Sequence, residues 1–317
     1  MLWDQHACVE LVETADLAEL DRYRAAGGGL VSLNVGYAPH GPDVTASLLR
    51  AFRSQVRAID RLALAASVDD VDRIAAAGDT AVVFDLEDCA PLGGDLDAVS
   101  TLVAQGVRTL APTYNYANHA GSGCLDTTDG GLTAWGRSLI GEMNRVGMVP
   151  DGSHVGVRTT VDMCAASTRP VVFSHSNLRA VWDHPRNITD DQARAVADTG
   201  GVVGITGVGI FLGPNTPTLE AMVRHIEYAV ELVGIDHVGV STDFSFDWQT
   251  FRDVLATSPE LYDASYTAWG PVEWMPPETF IGIGAALAAR GWRDGEIAAV
   301  VGGNFRRVAA ESWHPLV

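Results

Sequence analysis

His6 and Cys8 stand two residues apart in the stretch LWDQHAC. In an extended strand, side chains two apart share a face, so an imidazole and a thiol point the same way. Both groups are zinc ligands. Alone, the pair reads equally as two buried residues, with Cys8 a small hydrophobe. The pattern recurs, however, as apolar runs that end in residues able to do chemistry. Glu87 ends TAVVFDLE, Tyr114 follows VRTLAPT and His154 lies just past GMVPDG; His175 ends PVVFSH and Asp243 ends HVGVSTD. Each has an ordinary reading: a structural histidine, a solvated carboxylate beside Asp88, a loop cap. Gathered on one rim, imidazoles and carboxylates make the ligand set of a zinc-type hydrolase, which holds a cation and leaves a position open for water.

All 21 basic residues are arginine. Without lysine there is no amine for Schiff-base chemistry and no carbamylated lysine to bridge two metals. A bridge between two ions here must be a carboxylate.

The elements that position these residues follow from periodicity. Strands are expected at 2–8, 29–35, 80–87, 107–113, 147–152, 170–175, 201–206 and 237–243, with a small extra strand near 62–66. Between them run amphipathic helices. Val44, Leu48, Phe52, Val56 and Ile59 recur on one face of 43–59, as do Leu219, Val223, Ile226 and Val230 over 218–232. Thr189 and Gln192 form a capping-box start, and Gly200–Gly201 a stop. Eight strands alternating with helices predict an α/β fold, a (β/α)8 TIM barrel. The alternative is an open doubly wound sheet, but its GxGxxG turn is missing after the first strand. With no linker or repeat, residues 1–317 are expected to form one barrel domain. The aromatic- and proline-rich segment 244–278 is expected to be a long irregular lid. In such a barrel the site lies at the C-terminal ends of the strands, where the polar residues fall.

Composition narrows the function. Forty acidic residues against 21 arginines give a net charge of −19, which lacks the basic footprint for nucleic acid or an anionic membrane. No apolar run is long enough to span a bilayer, no secretion signal is recognisable, and the four cysteines are unpatterned. A cytoplasmic protein acting on a small molecule is expected.

From Val82 onward the chain resembles the membrane (renal-type) dipeptidase family of zinc metallopeptidases. The resemblance is carried by LEDCAPLGGDL, GVRTLAPTYNYAN, GLTAWGRSLIGEMNRVGMVPDGSHV, RPVVFSHSNLRAVWDHPRNITDDQ, GGVVGI, VELVGIDHVGVSTDF and VVGGNFRRV. It implies a metal-dependent hydrolase barrel, a homodimer, and two zinc ions bridged by a carboxylate and a hydroxide. It further implies that Glu87 is the bridging ligand, that His154 and His175 complete the second zinc site, and that His6 binds the first zinc. Asp243 matches the acid that handles protons, and Arg186 the residue that holds the substrate carboxylate.

This chain departs from the family at four places. The family's His-x-Asp reads His6-Ala7-Cys8; a histidine that contacts substrate is replaced by Tyr114; ITGVGIF is unusually apolar; and Asp-Leu before the SH pair has become Asp151–Gly152. Cys8 either binds zinc as a thiolate or leaves the first site weak or empty. In the latter case Glu87, His154 and His175 remain as a two-His, one-Glu set for a single zinc. Tyr114 can donate to a developing oxyanion. The expected activity is hydrolysis of the amide bond of dipeptides by a metal-activated hydroxide, dipeptides with a C-terminal D-residue included. The alternatives are hydrolysis of another small amide or lactone, such as an N-acyl amino acid, and a non-catalytic binding homologue.

Overall fold

The Val-, Leu- and Ile-rich runs form short parallel strands whose side chains are buried on both faces, as a sheet covered by helices requires. The computed structural model describes residues 1–26 and 28–314. Its strands are β1 (Leu2–Cys8), β2 (Gly29–Asn34), β3 (Leu62–Leu64), β4 (Thr80–Leu86), β5 (Val107–Leu110), β6 (Val149–Pro150), β7 (Val172–Phe173), β8 (Val202–Thr206), β9 (Val238–Ser241) and β10 (Phe244–Ser245). Continuous parallel pairing runs β1-β2-β4-β5-β6 and β7-β8-β9. A bridge between Asp151 and Val172 joins β6 to β7. At the other gap, the Asp243 N–H donates to the His6 carbonyl at 2.9 Å and brings the end of β9 onto β1. Eight strands thereby close into a (β/α)8 barrel, and β3 pairs with the N-terminal end of β4 as the expected extra strand.

A buried aspartate stitches each of the two thin seams. Asp151 accepts from the N–H groups of Ser153 (2.9 Å) and Ser174 (3.0 Å) and from the Ser174 hydroxyl. Asp4 accepts from the Thr242 N–H (2.7 Å), the Ser241 hydroxyl (3.0 Å) and the Tyr23 hydroxyl (2.6 Å). Burial pushes both carboxyls upward in pKa, against the pull of these hydrogen bonds. Side-chain bonds at the β6–β7 seam stand in for ladder bonds, which is why strands expected at 147–152 and 170–175 shrink to two residues each.

The helices sit close to expectation. Pro42–Ala58 buries Thr45, Leu48, Leu49, Phe52 and Val56; Val44, expected on that face, is 46% exposed in the first turn. Leu219–Val233 is capped by Thr218, and Asp190–Asp198 carries the Thr189–Gln192 capping box, with Gly200 beyond its end at φ +83°. The segment 244–278 is not irregular throughout. It contains β10, the helix Trp248–Thr257 and a 3-10 turn at Ala264–Tyr266. Asp247 caps that helix by accepting from the Thr250 N–H. Among the described residues, no helix is long and apolar enough to cross a membrane.

Candidate active site

The C-terminal ends of the strands bring six of the residues singled out by sequence into one cluster. His6, Cys8 and Glu87 are close enough to share one ion; so are His6, His175 and Asp243, and so are Glu87, His154 and His175. Glu87 is central. Its Oε2 accepts from the Asn34 amide at 3.0 Å, which leaves Oε1 facing His154 Nε2 (3.0 Å), His175 Nε2 (3.4 Å) and His6 Nε2 (3.4 Å).

The far side of each ring is already committed. His6 Nδ1 lies 3.0 Å from Asp85 Oδ1, and a carboxylate can only accept, so Nδ1 carries the proton. His154 Nδ1 donates to Asn115 Oδ1 at 2.7 Å. His175 Nδ1 is 2.7 Å from Ser174 Oγ, whose own proton goes to Asp151, so this ring also donates from Nδ1. The Nε2 lone pairs of His154 and His175 therefore face each other only 3.1 Å apart and both face Glu87 Oε1, as does Nε2 of His6. Acceptors packed this closely repel unless a cation lies among them. The donor set fits a divalent metal held by imidazole and carboxylate, with outer groups fixing each tautomer.

The electrostatics agree. Burial drives the pKa values of His154 and His175 well below 6.5 and keeps both rings neutral, as ligands must be. Burial also opposes charge on His6, yet Asp85 and Glu87 hold its pKa well above 6.5, so this corner attracts positive charge. Burial pushes Glu87 up to about 8 and Asp243 to about 6, in each case against the pull of His6. It pushes the Cys8 thiol up to about 12; Cys8 Sγ lies 3.3 Å from His6 Nε2. His154 and Asp243 adopt left-handed backbone, φ +67° and +48°. That conformation costs about 1 kcal/mol or more for each.

Two further residues frame the cluster. Tyr114 stacks on the His154 ring, centroids 4.2 Å apart, and its hydroxyl shares a 2.8 Å hydrogen bond with that of Tyr262. Arg186 is 2% exposed. It donates to Ser176 Oγ (3.1 Å) and the His175 carbonyl (3.2 Å), and its Nε has no partner. Among the described residues it forms no ion pair. A buried guanidinium without an anion is costly, and its fork suits a carboxylate.

Sequence reasoning missed the residues behind the cluster. Asp85 lies two positions before Glu87, on the same face of β4, and the alternation in DLE could have found it. Asn115 and Tyr262 sit in loops and Tyr266 in the 3-10 turn Ala264–Tyr266, so none carries a periodic signal. Four residues of the cluster, Cys8, Glu87, His154 and Asp243, form the floor of a cavity of about 240 Å³ whose walls include Leu11, Ile210, Phe211, Phe251, Val254 and Trp274.

A family model described as membrane dipeptidase, peptidase family M19, matches residues 15–261. An uncharacterised protein from the pqqA 5′ region of Klebsiella pneumoniae is 37% identical over 196 residues, 58% of this chain and 72% of that protein. Dipeptidase verJ of Clonostachys rogersoniana is 32% identical over 253 residues, 78% of this chain but only 60% of verJ. The solved structure of an amidohydrolase from Pseudomonas aeruginosa superposes with a TM-score of 0.87 at 27% identity, covering 99% of this chain and 96% of that one.

Proposed function

This chain belongs to the membrane dipeptidase family of metallopeptidases, and we propose that it hydrolyses the amide bond of dipeptides with zinc held by His6, Cys8, Glu87, His154 and His175. The observation that carries the proposal is the convergence of three imidazole Nε2 atoms on Glu87 Oε1, each ring anchored from behind. Glu87 would bridge two ions, with His154 and His175 completing one site and His6 and Cys8 the other. Bound there, zinc supplies Lewis acidity toward the scissile carbonyl and lowers the pKa of the attacking water.

The protein's own groups do the rest. The Asp243 carboxylate takes the proton of the attacking water and returns it to the leaving amine; a pKa of about 6 suits both directions near neutral pH. Arg186 binds the substrate's terminal carboxylate through its fork and so gains the anion its burial demands. The Tyr114 hydroxyl is the donor at hand for the developing oxyanion. Phe251 and Tyr262, brought over the cavity by 244–278, exclude water from it. Dipeptides with a C-terminal D-residue belong to the substrate range to be tested.

A second reading, hydrolysis of an N-acyl amino acid, is favoured by Tyr114 and by the apolar cavity walls. A panel of L,L- and L,D-dipeptides and N-acyl amino acids separates the two. Glu87→Gln and Asp243→Asn should each abolish turnover while the protein stays folded. Full turnover in either purified variant would sink the assignment, and failure to bind any divalent metal would favour a binding role for the barrel.

A further inference from the structure

A separate apolar cluster lies on the site face of the barrel, apart from the main core. It comprises Tyr114, Val208, Ile210, Phe211, Tyr262, Tyr266 and Val272, with Phe251, Val254 and Trp274 packed against it. Three distant parts of the chain supply it. They are the loop after β5, the ITGVGIF stretch at the end of β8, and the segment after β10. Together with Leu11 and Val12 these residues wall the cavity whose floor is Cys8, Glu87, His154 and Asp243.

Arg186 does not line this cavity; it faces a smaller cleft with Cys124, Gly152 and Ile188, and His154 borders both. A substrate held by its carboxylate at Arg186 therefore sends its other end, the acyl half, into the apolar cavity. Among the described residues, no arginine lines that cavity. Its charged lining residues are the acids Glu10, Glu87, Asp243 and Asp247, while burial lowers the pKa of His40. From this geometry we infer that the enzyme selects a bulky, uncharged apolar side chain on the acyl half of its substrate and rejects an acidic one. The inference rests on the proposed hydrolase reading and deepens it. It also gives a role to the apolar ITGVGIF stretch, whose Val208, Ile210 and Phe211 form one wall.

The test measures kcat/KM of the zinc-loaded protein for Leu-Ala, Phe-Ala, Ala-Ala and Asp-Ala. Leucine adds three carbons to alanine, and each buried methylene is worth roughly fourfold. Leu-Ala is therefore expected to exceed Ala-Ala by roughly 60-fold, and Asp-Ala to be poorer still. Val254 is half-buried on the helix Trp248–Thr257, so Val254→Trp can fill the cavity from its rim; it should shrink the Leu-Ala to Ala-Ala ratio to a few-fold. Turnover of Ala-Ala and Asp-Ala at the rate of Leu-Ala would overturn the inference and leave the hydrolase reading standing. If no dipeptide is cleaved, the dipeptidase reading fails instead. Calorimetric titration with leucinamide and glycinamide then reads the cavity directly: tighter leucinamide binding, weakened in Val254→Trp, supports the apolar site, and equal binding of the two refutes it.

Discussion

Asp85→Asn should separate the two halves of the proposed metal site. Asp85 is buried, 3% exposed. It receives the His6 Nδ1 proton at 3.0 Å, the Ser32 hydroxyl at 2.6 Å and the Asn34 amide at 3.3 Å. An amide keeps the shape of the carboxylate but offers one acceptor oxygen and no charge. If its NH2 turns to His6, the ring must move its proton to Nε2, the atom needed for ligation. Loss of such an outer partner typically weakens metal binding 10- to 100-fold, about 1.4–2.8 kcal/mol. His154 and His175 depend on Asn115 and Ser174 instead, so their affinity should hold. Stepwise zinc titration against a chromophoric chelator resolves the two affinities. The reasoning predicts one binding step weakened by that factor and the other unchanged. Two unchanged steps, or equal weakening of both, would refute it.

Arg186→Met should lower kcat/KM for dipeptides on the order of 100-fold, mostly through KM, because a carboxylate loses its charge-assisted partner; the melting temperature should hold or rise, since a buried cation without an ion-pair partner is removed. In the cobalt-substituted protein, a thiolate ligand at Cys8 should give a near-ultraviolet charge-transfer band that Cys8→Asp abolishes while metal content stays the same; its absence from the native sequence would leave Cys8 out of the coordination. Metal-free protein should gain stability as pH falls through about 8, where Glu87 takes its proton, while below about 6.5 His154 and His175, held neutral by burial, oppose the further gain from Asp243 near 6. Glu87 and Asp243 have pKa values raised by burial, so their contribution is full below their unfolded values near 4.5 and 3.8 and is lost as pH rises through the folded ones. Melting curves of Glu87→Gln between pH 5 and 8.5 should show a smaller pH effect than those of the parent. Asp4→Ala should cost on the order of 3 kcal/mol in denaturant unfolding by leaving the donors at the β1–β9 seam unpaired; a loss under 1 kcal/mol would contradict the stitching role.

The barrel was legible because alternating apolar runs and capped amphipathic helices point to the same fold. The cluster was legible because strand ends carry chemistry in such a barrel, so Glu87, His154, His175 and Asp243 stood out against apolar neighbours. What stayed hidden depends on contacts made far along the chain. Asn115 meets His154 across 39 positions, and Tyr114 meets Tyr262 across 148. Strand ends at 147–152 and 170–175 were read too long because Pro150, Asp151 and Ser174 continue the extended chain while Asp151 takes over the bonding. The lid helix was missed because Phe251, Val254 and Leu255 give a single turn of periodicity and the helix buries no residue fully.

The proposed chemistry requires that the three imidazoles and Glu87 surround metal. Its most direct test is metal analysis of protein purified without chelators, with anomalous scattering to place each ion. Two zinc ions per chain are expected, one at Glu87, His154 and His175 and one at His6, Cys8 and Glu87, with dipeptide hydrolysis that disappears on chelation and returns with zinc. Metal-free protein under those conditions, or hydrolysis indifferent to chelation, would contradict it.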